Sequence, residues 1–308
     1  MDNLQPRDQA LFLQDISQTP AFGKGVRVFE VYPETINDLY HKGYVDLDED
    51  TPVYPNQPLI LRAGQQSALA YVSRSGDQIL CVDPEVSYFK IKGRNKEQTL
   101  LLNLFQDPDI RLVVVTGAAG TGKTVCIGGY ALHQLFRVGD YRKLTMSKPL
   151  EIVTRSKYWG TVPGGENEKF APFLKSYSIL FEGLIGERGK AYVETAMQQG
   201  TIDFMPVELM RGVSLKNSIV WYDEAQNLNH HEMETLGSRI DDVGGSKLIL
   251  SGDLNQQDGR ITESQTGLYR LLSSSHFLNS PHTAHVHLVQ NERGVISQLF
   301  FDVFNTSD

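Results

Sequence analysis

Apolar and polar positions alternate in two rhythms along the chain, and the change falls near residue 92. Before it, short β-type runs follow one another: VRVFEVY (26–32), PLILRA (58–63), ALAYVSR (68–74), QILCVD (78–83) and SYFKIKG (87–93). Turn sequences such as YPNQP and SRSGDQ separate them, as expected of strands in a small β-rich unit. One helical piece, PETINDLYHKG, interrupts the series, with Pro33 suited to a helix start and Gly43 to a helix end. Nothing in this part has catalytic spacing.

After about residue 95, strands alternate with helices. EQTLLLNLFQ reads as a helix, RLVVVTG as a strand, TVCIGGYALHQLF as a helix and KLTMS as a strand. AYVETAMQQG and HHEMETLGSRI are further helices, and IDFMPV, SIVWYDE, SKLILSGD and AHVHLV further strands. Continuous apolar strands joined by helices indicate a parallel sheet covered on both faces. The expected organisation is a β-rich unit over 1–91 and an α/β domain over 92–308, with the border near KGRNKEQ (92–98).

Composition narrows the class. The 308 residues are 40% hydrophobic and 21% charged, ordinary for a globular protein. No apolar run approaches the roughly 18 residues needed to span a membrane. The acidic N-terminus lacks the basic start and apolar middle of a signal peptide. Cys81 and Cys126 form neither a metal motif nor a disulfide framework, so a cytoplasmic setting is expected. A net charge of −8 argues against non-specific coating of nucleic acid. A local basic stretch remains, YRKLTMSKPLEIVTRSKYW (141–159), with interleaved Tyr and Trp and Glu151 as its one acid.

The chemistry concentrates after the RLVVVTG strand. Gly117, Ala118, Ala119, Gly120, Thr121, Gly122, Lys123 and Thr124 satisfy G-x-x-x-x-G-K-[ST] between a strand and a helix, the context that marks a phosphate loop. Its backbone N–H groups and the helix N-terminus face phosphate oxygens. Lys123 is expected to reach the β- and γ-phosphates, and the Thr124 hydroxyl to bind Mg²⁺. SIVWYDEAQN (218–227) ends an apolar strand in Asp223 and Glu224. Asp223 is placed to support the metal, usually through water, and Glu224 to orient the attacking water or accept its proton. LILSGDLNQQD (248–258) supplies Asp253 and Gln256, expected to face the γ-phosphate because ligands sit at the carboxyl ends of parallel strands. Gln98 precedes the first strand, where its amide could read an adenine edge. Arg211, Arg239 and Arg293 each lie beside a site motif and are candidates for the arginine that stabilises transition-state charge.

Together these residues resemble the PhoH family of phosphate-starvation-type ATPases. The matching segments are RNKEQTLLLNLFQDPDI, GAAGTGKT, SKP, GTVPGGENEKFAPFL, DEAQNL, SRI, SGDLNQQD and NERG, in family order over about 92–301. YPNQPLILRAGQQSALAYV also looks like the β-rich segment that precedes the ATPase in PIN-fused PhoH proteins, while too little chain precedes it to hold the PIN nuclease. The resemblance implies a RecA-like P-loop NTPase core, dependence on ATP and Mg²⁺, and association with RNA. By motif match it gives Gly117 to Thr124, Asp223, Glu224, Asp253, Gln256 and Arg293 the roles above. Three positions depart from the family pattern: Val213 in RGVS, Lys148 in SKP and Gly294 in NERG, which implies an altered contact to nucleic acid or to a neighbouring subunit.

From 92 to 308 there is room for one RecA-like domain, so the second wall of the cleft is expected from another copy. That gives a ring, a hexamer as the family suggests, with Arg239 or Arg293 completing the neighbour's site. Three readings stay open: an ATP-driven motor or RNA helicase acting on single-stranded RNA, an ATP-gated oligomeric scaffold without translocation, and a P-loop small-molecule kinase. The water-positioning residues favour hydrolysis over phosphotransfer.

Overall fold

The computed structural model describes residues 11, 13–17, 22–48, 51–149, 166–186, 189–210, 212–241, 243–254 and 266–292, with 166–174 by backbone alone. The first sheet contains β1 (Gln14–Asp15), β2 (Arg27–Glu30), β3 (Tyr44–Asp46), β4 (Pro58–Ala63), β5 (Gln66–Val72) and β6 (Gln78–Cys81), in the order β1-β2-β4-β5-β6-β3. Helix α1 (Pro33–Lys42) lays Ile36 and Leu39 against Phe29, Leu59, Leu61, Val72 and Ile79. Burying that stripe fixes which face of the strands points inward, because a one-residue slip would expose it.

SYFKIKG is not one strand. Phe89 and Lys90 both adopt left-handed backbone conformations, φ 49° and 67°, and fold the run into a hairpin of β7 (Ser87–Tyr88) and β8 (Ile91–Lys92). Helix α2 (Lys96–Leu104) follows, its first turn capped by the Asn95 side chain accepting from the Gln98 N–H. Packing continues across residue 91: Val86 and Tyr88 belong to the same apolar cluster as Leu101, Phe105 and Tyr130.

The second sheet is built from β9 (Leu112–Gly117), β10 (Lys143–Ser147), β11 (Ile202–Phe204), β13 (Ser218–Tyr222), β15 (Lys247–Gly252) and β16 (Thr283–Leu288). All its pairings are parallel, in the order β11-β10-β13-β15-β9-β16. Short β12 (Leu215–Lys216) and β14 (Ile240–Asp241) pair separately. Helices α3 (Lys123–His133), α4 (Glu166–Ile185) and α5 (Gly189–Gln198) contribute side chains to the cluster on one face; α6 (His230–Gly237), α7 (Gly267–Leu272) and α8 (Ser275–Asn279) contribute to that on the other. Successive residues of a strand point to opposite faces. Val113 and Val115 therefore enter one cluster and Val114 the other, which is why these strands read as unbroken apolar runs.

This is a RecA-like P-loop core, with β15 inserted between the strand that leads into the phosphate loop and the strand that ends at Asp223. Among the described residues no helix is long and apolar enough to cross a membrane.

Candidate functional site

The carboxyl ends of β9, β13 and β15 meet a cavity of about 410 Å³. Gln98, Ala119, Gly120, Gly122, Lys123, Thr124, Asp223, Glu224 and Asp253 line it, joined by Glu292 and by Lys90, Lys92 and Arg94 from the hairpin and its exit. Two acids and the phosphate loop thus share one space although about 100 residues separate them in sequence.

The loop is shaped by its glycines. Gly122 caps α3 at φ 92°, and a Cβ there would sit 2.6 Å from Gln98 Nε2. At Gly117, φ 144°, a Cβ would lie 2.3 Å from the Leu288 carbonyl oxygen, so the main chain can approach β16 only without a side chain. Lys123 Nζ donates to the carbonyls of Gly117 at 2.5 Å and Ala118 at 2.9 Å, which keeps the ammonium over the loop. Thr121 Oγ1 donates to the same Ala118 carbonyl.

Gln98 is 4% exposed. Its Nε2 donates to the Thr121 carbonyl at 2.9 Å, and its Oε1 accepts from the Arg94 N–H at 2.9 Å. An amide offers two donors and two acceptor positions; here one donor buttresses the loop and one acceptor position holds the backbone that leads into α2. Glu292 also supports the loop: its N–H donates to the Gly120 carbonyl and its carboxylate accepts from Asn95 Nδ2. In the NERG segment the sequence pattern points to Arg293, while the support Glu292 gives the loop has no local signal.

Asp223 is held from several directions. Its Oδ1 accepts from Ser251 Oγ at 2.7 Å and from the Glu224 N–H at 3.1 Å; Oδ2 accepts from Tyr177 Oη at 2.7 Å. Ser251 in turn accepts from the Trp221 indole N–H at 2.8 Å. Burial, chiefly, and then the Asp223 carboxylate hold the Tyr177 phenol far above its ordinary pKa, so it remains a donor. Glu224 has φ 58° and ψ 40°, a left-handed conformation that costs a non-glycine residue about 1–3 kcal/mol. Its carboxylate accepts from Gln226 Nε2 at 2.8 Å, and Gln226 Oε1 accepts from the Asp253 N–H at 3.0 Å. Gln226, 1% exposed, therefore ties the β13 and β15 ends together.

Behind the loop, the Thr116 hydroxyl bonds both His285 Nε2 and His287 Nδ1. Burial pushes His285 down to about 3 and also lowers His287, where the nearby Asp253 carboxylate opposes and Lys123 reinforces the effect. Burial raises the Cys126 thiol to about 12, which leaves it an inert packing group.

Arg239 lies between α6 and β14 in the chain and is not among the residues that line the cavity. Gln256, Arg293 and Arg211 lie outside the described residues, as does most of the basic stretch beyond Pro149. Tyr177, Ser251, Trp221 and Gln226 are neighbours of the acid pair that the sequence pattern does not single out. DEAQ held a signal for Gln226, but nothing local pointed to Tyr177.

A hard divalent cation takes oxygen ligands. Thr124 and Asp223 line one cavity, the Asp223 carboxylate held by the hydroxyls of Tyr177 and Ser251, so the oxygen chemistry fits Mg²⁺. Fold, phosphate loop and paired acids define the P-loop NTPase fold of the RecA-like class.

The PhoH-like protein family model matches residues 90–305, and the chain belongs to that family. It is 30% identical over 288 residues to "Protein PhoH2" of Bacillus subtilis (strain 168), covering 91% of this chain and 64% of that protein. A "Protein PhoH2" of Mycolicibacterium smegmatis is 30% identical over 276 residues, 89% of this chain and 61% of that one. The chain thus spans less than two thirds of the length of these relatives. Among solved structures, the Pif1 helicase from Candida albicans is similar at a TM-score of 0.37 and 15% identity, covering 70% of this chain and 44% of that one.

Proposed function

We propose that the protein hydrolyses ATP with Mg²⁺ and couples turnover to single-stranded RNA in a ring of identical chains, a hexamer in the simplest case. The observation that carries this reading is the single cavity shared by the phosphate loop, Asp223, Glu224 and Asp253. Bound with the triphosphate, Mg²⁺ would neutralise phosphate charge, held by Thr124 and, usually through water, by Asp223.

In this reading the loop N–H groups and Lys123 grip the β- and γ-phosphates. Glu224, oriented by Gln226, aligns the attacking water and takes its proton. Asp253, backed by the Gln226 amide, senses the γ-phosphate end, and Gln256, three residues further along the chain, acts with it. Arg239, which does not line its own cavity, or Arg293 supplies transition-state charge to a neighbouring copy. RNA is supported by the family resemblance and by the basic, aromatic-interleaved pattern of 141–159.

Release of inorganic phosphate should be measured with and without Mg²⁺ and single-stranded RNA, beside a solution-mass determination. Magnesium-dependent release, raised by RNA, from a multimer is expected. Glu224→Gln should retain ATP without turnover. Absence of phosphate release in every assembly state would overturn the hydrolytic reading. Turnover indifferent to RNA at low salt would overturn the coupling.

A further inference from the structure

The acid at the end of β13 is clamped by a unit that the phosphate loop does not explain. Tyr177, on α4, is 5% exposed and packs edge-on against Trp221, ring centroids 5.2 Å apart at 77°. Both aromatic residues direct a polar hydrogen to the same carboxylate, Tyr177 directly and Trp221 through the Ser251 hydroxyl.

The two oxygens of Asp223 are not equivalent. A carboxylate oxygen has about two acceptor positions. Those of Oδ1 are taken by Ser251 Oγ and the Glu224 N–H, both supplied from the sheet ends that build the site. Among the described residues Oδ2 accepts from Tyr177 alone, which leaves it the oxygen with an acceptor position to offer into the cavity. The direction of that position follows from where the phenol sits.

The phenol is seated by a helix outside the nucleotide loops. Phe181, one turn further along α4, is fully buried and packs with Tyr177 in the cluster that holds α3, α5 and the inner strands. A phenylalanine at 177 would fill the same space, so packing alone does not call for the hydroxyl.

We propose that Tyr177 is the positioning residue of Asp223: its hydroxyl, delivered by α4, aims the Oδ2 lone pair at the metal–triphosphate position. The seating of α4 against the sheet thereby sets how well the acid supports the metal. This rests on the reading of the cavity as an Mg²⁺–nucleotide site.

The test is the equilibrium affinity for ADP, measured by calorimetry on the full chain in EDTA and again in Mg²⁺. The ratio of the two affinities is the gain due to the metal. In Tyr177→Phe, ADP affinity in EDTA should stay within about twofold of wild type, because the loop and Lys123 are untouched. The metal gain should fall about tenfold, the size expected for loss of a hydrogen bond to a charged group. Ser251→Ala, which leaves Tyr177 and the Glu224 N–H in place, should lose markedly less. An undiminished gain in Tyr177→Phe would overturn the proposal. So would an equal loss in both variants, since the carboxylate would then respond to any loosening. Failure of the wild type to bind ADP in EDTA or in Mg²⁺ would instead overturn the nucleotide-site reading on which the proposal stands.

Discussion

Replacing Gln226 with leucine should separate holding ATP from splitting it. Leucine nearly matches the glutamine in volume but loses two bonds: the 2.8 Å donation to Glu224 Oε2 and the 3.0 Å acceptance from the buried Asp253 N–H. A hydrogen bond to a charged group contributes about 1.5–3 kcal/mol. If all of that held Glu224 against the attacking water, kcat would fall about 10- to 150-fold. The Asp253 N–H, left without this acceptor, costs about 1–3 kcal/mol of stability, partly offset by the leucine's apolar burial. Tm should therefore drop by a few degrees while the fold survives. Nucleotide affinity should hold, since Gln226 is absent from the residues lining the cavity. Steady-state phosphate release, calorimetric titration with a non-hydrolysable ATP analogue and a thermal melt make the comparison. A folded Gln226→Leu protein with kcat within twofold of wild type would refute the view that this amide orients Glu224.

Other outcomes follow from the same geometry. Lys123→Ala should abolish measurable ATP binding in a filter or calorimetric assay, without lowering Tm by more than a surface substitution does. Gly122→Ala forces a side chain onto Gln98 Nε2 at a left-handed position; ADP affinity should drop at least tenfold, and Gln98→Ala should relieve the contact without restoring the affinity. Burial lowers both Lys24 and Lys247 to about 7. Because the unfolded chain then binds more protons between about pH 7 and 10.5, stability should rise with pH across that window and level off below it; urea midpoints at pH 7 and 9 will show it, and Lys247→Met should shrink the rise. A chain carrying the true finger substitution, mixed with Lys123→Ala chains, should regain turnover at hybrid interfaces, and no recovery would count against donation in trans.

Most of the second sheet is legible in the sequence because its strands are buried on both sides and its helices are punctuated by capping residues. Asn229 and Glu232 form a reciprocal cap on α6, and HHEMETLGSRI reads as a helix accordingly. The misses have physical causes. SYFKIKG carries strand-type residues throughout, yet Phe89 and Lys90 take left-handed conformations that composition does not announce. Helix α4 spans Glu166–Ile185 through a segment containing Pro172, a residue that argues against a helix interior. At the site, the residues that line the cavity from the phosphate loop and the acid pair are legible because their spacing is local: loop, strand, acid pair. Tyr177, Ser251 and Gln226 act through contacts set by tertiary packing, as in the bond that joins Tyr177 to Asp223 across 46 positions.

Strand β16 links the two sheets mechanically. At its base, Lys24 Nζ donates to the Ser280 and Thr283 carbonyls, and Asn56 Nδ2 to those of Pro281 and Thr283. Beyond its other end, the Glu292 N–H grips the Gly120 carbonyl. The strand is thus a tie-rod, bolted at one end to the residues that lead into β2 and β4 of the first, mixed sheet and at the other to the phosphate loop. A load that tilts the appended sheet therefore pulls on the phosphate loop itself, and a hand on that sheet is a hand on the loop.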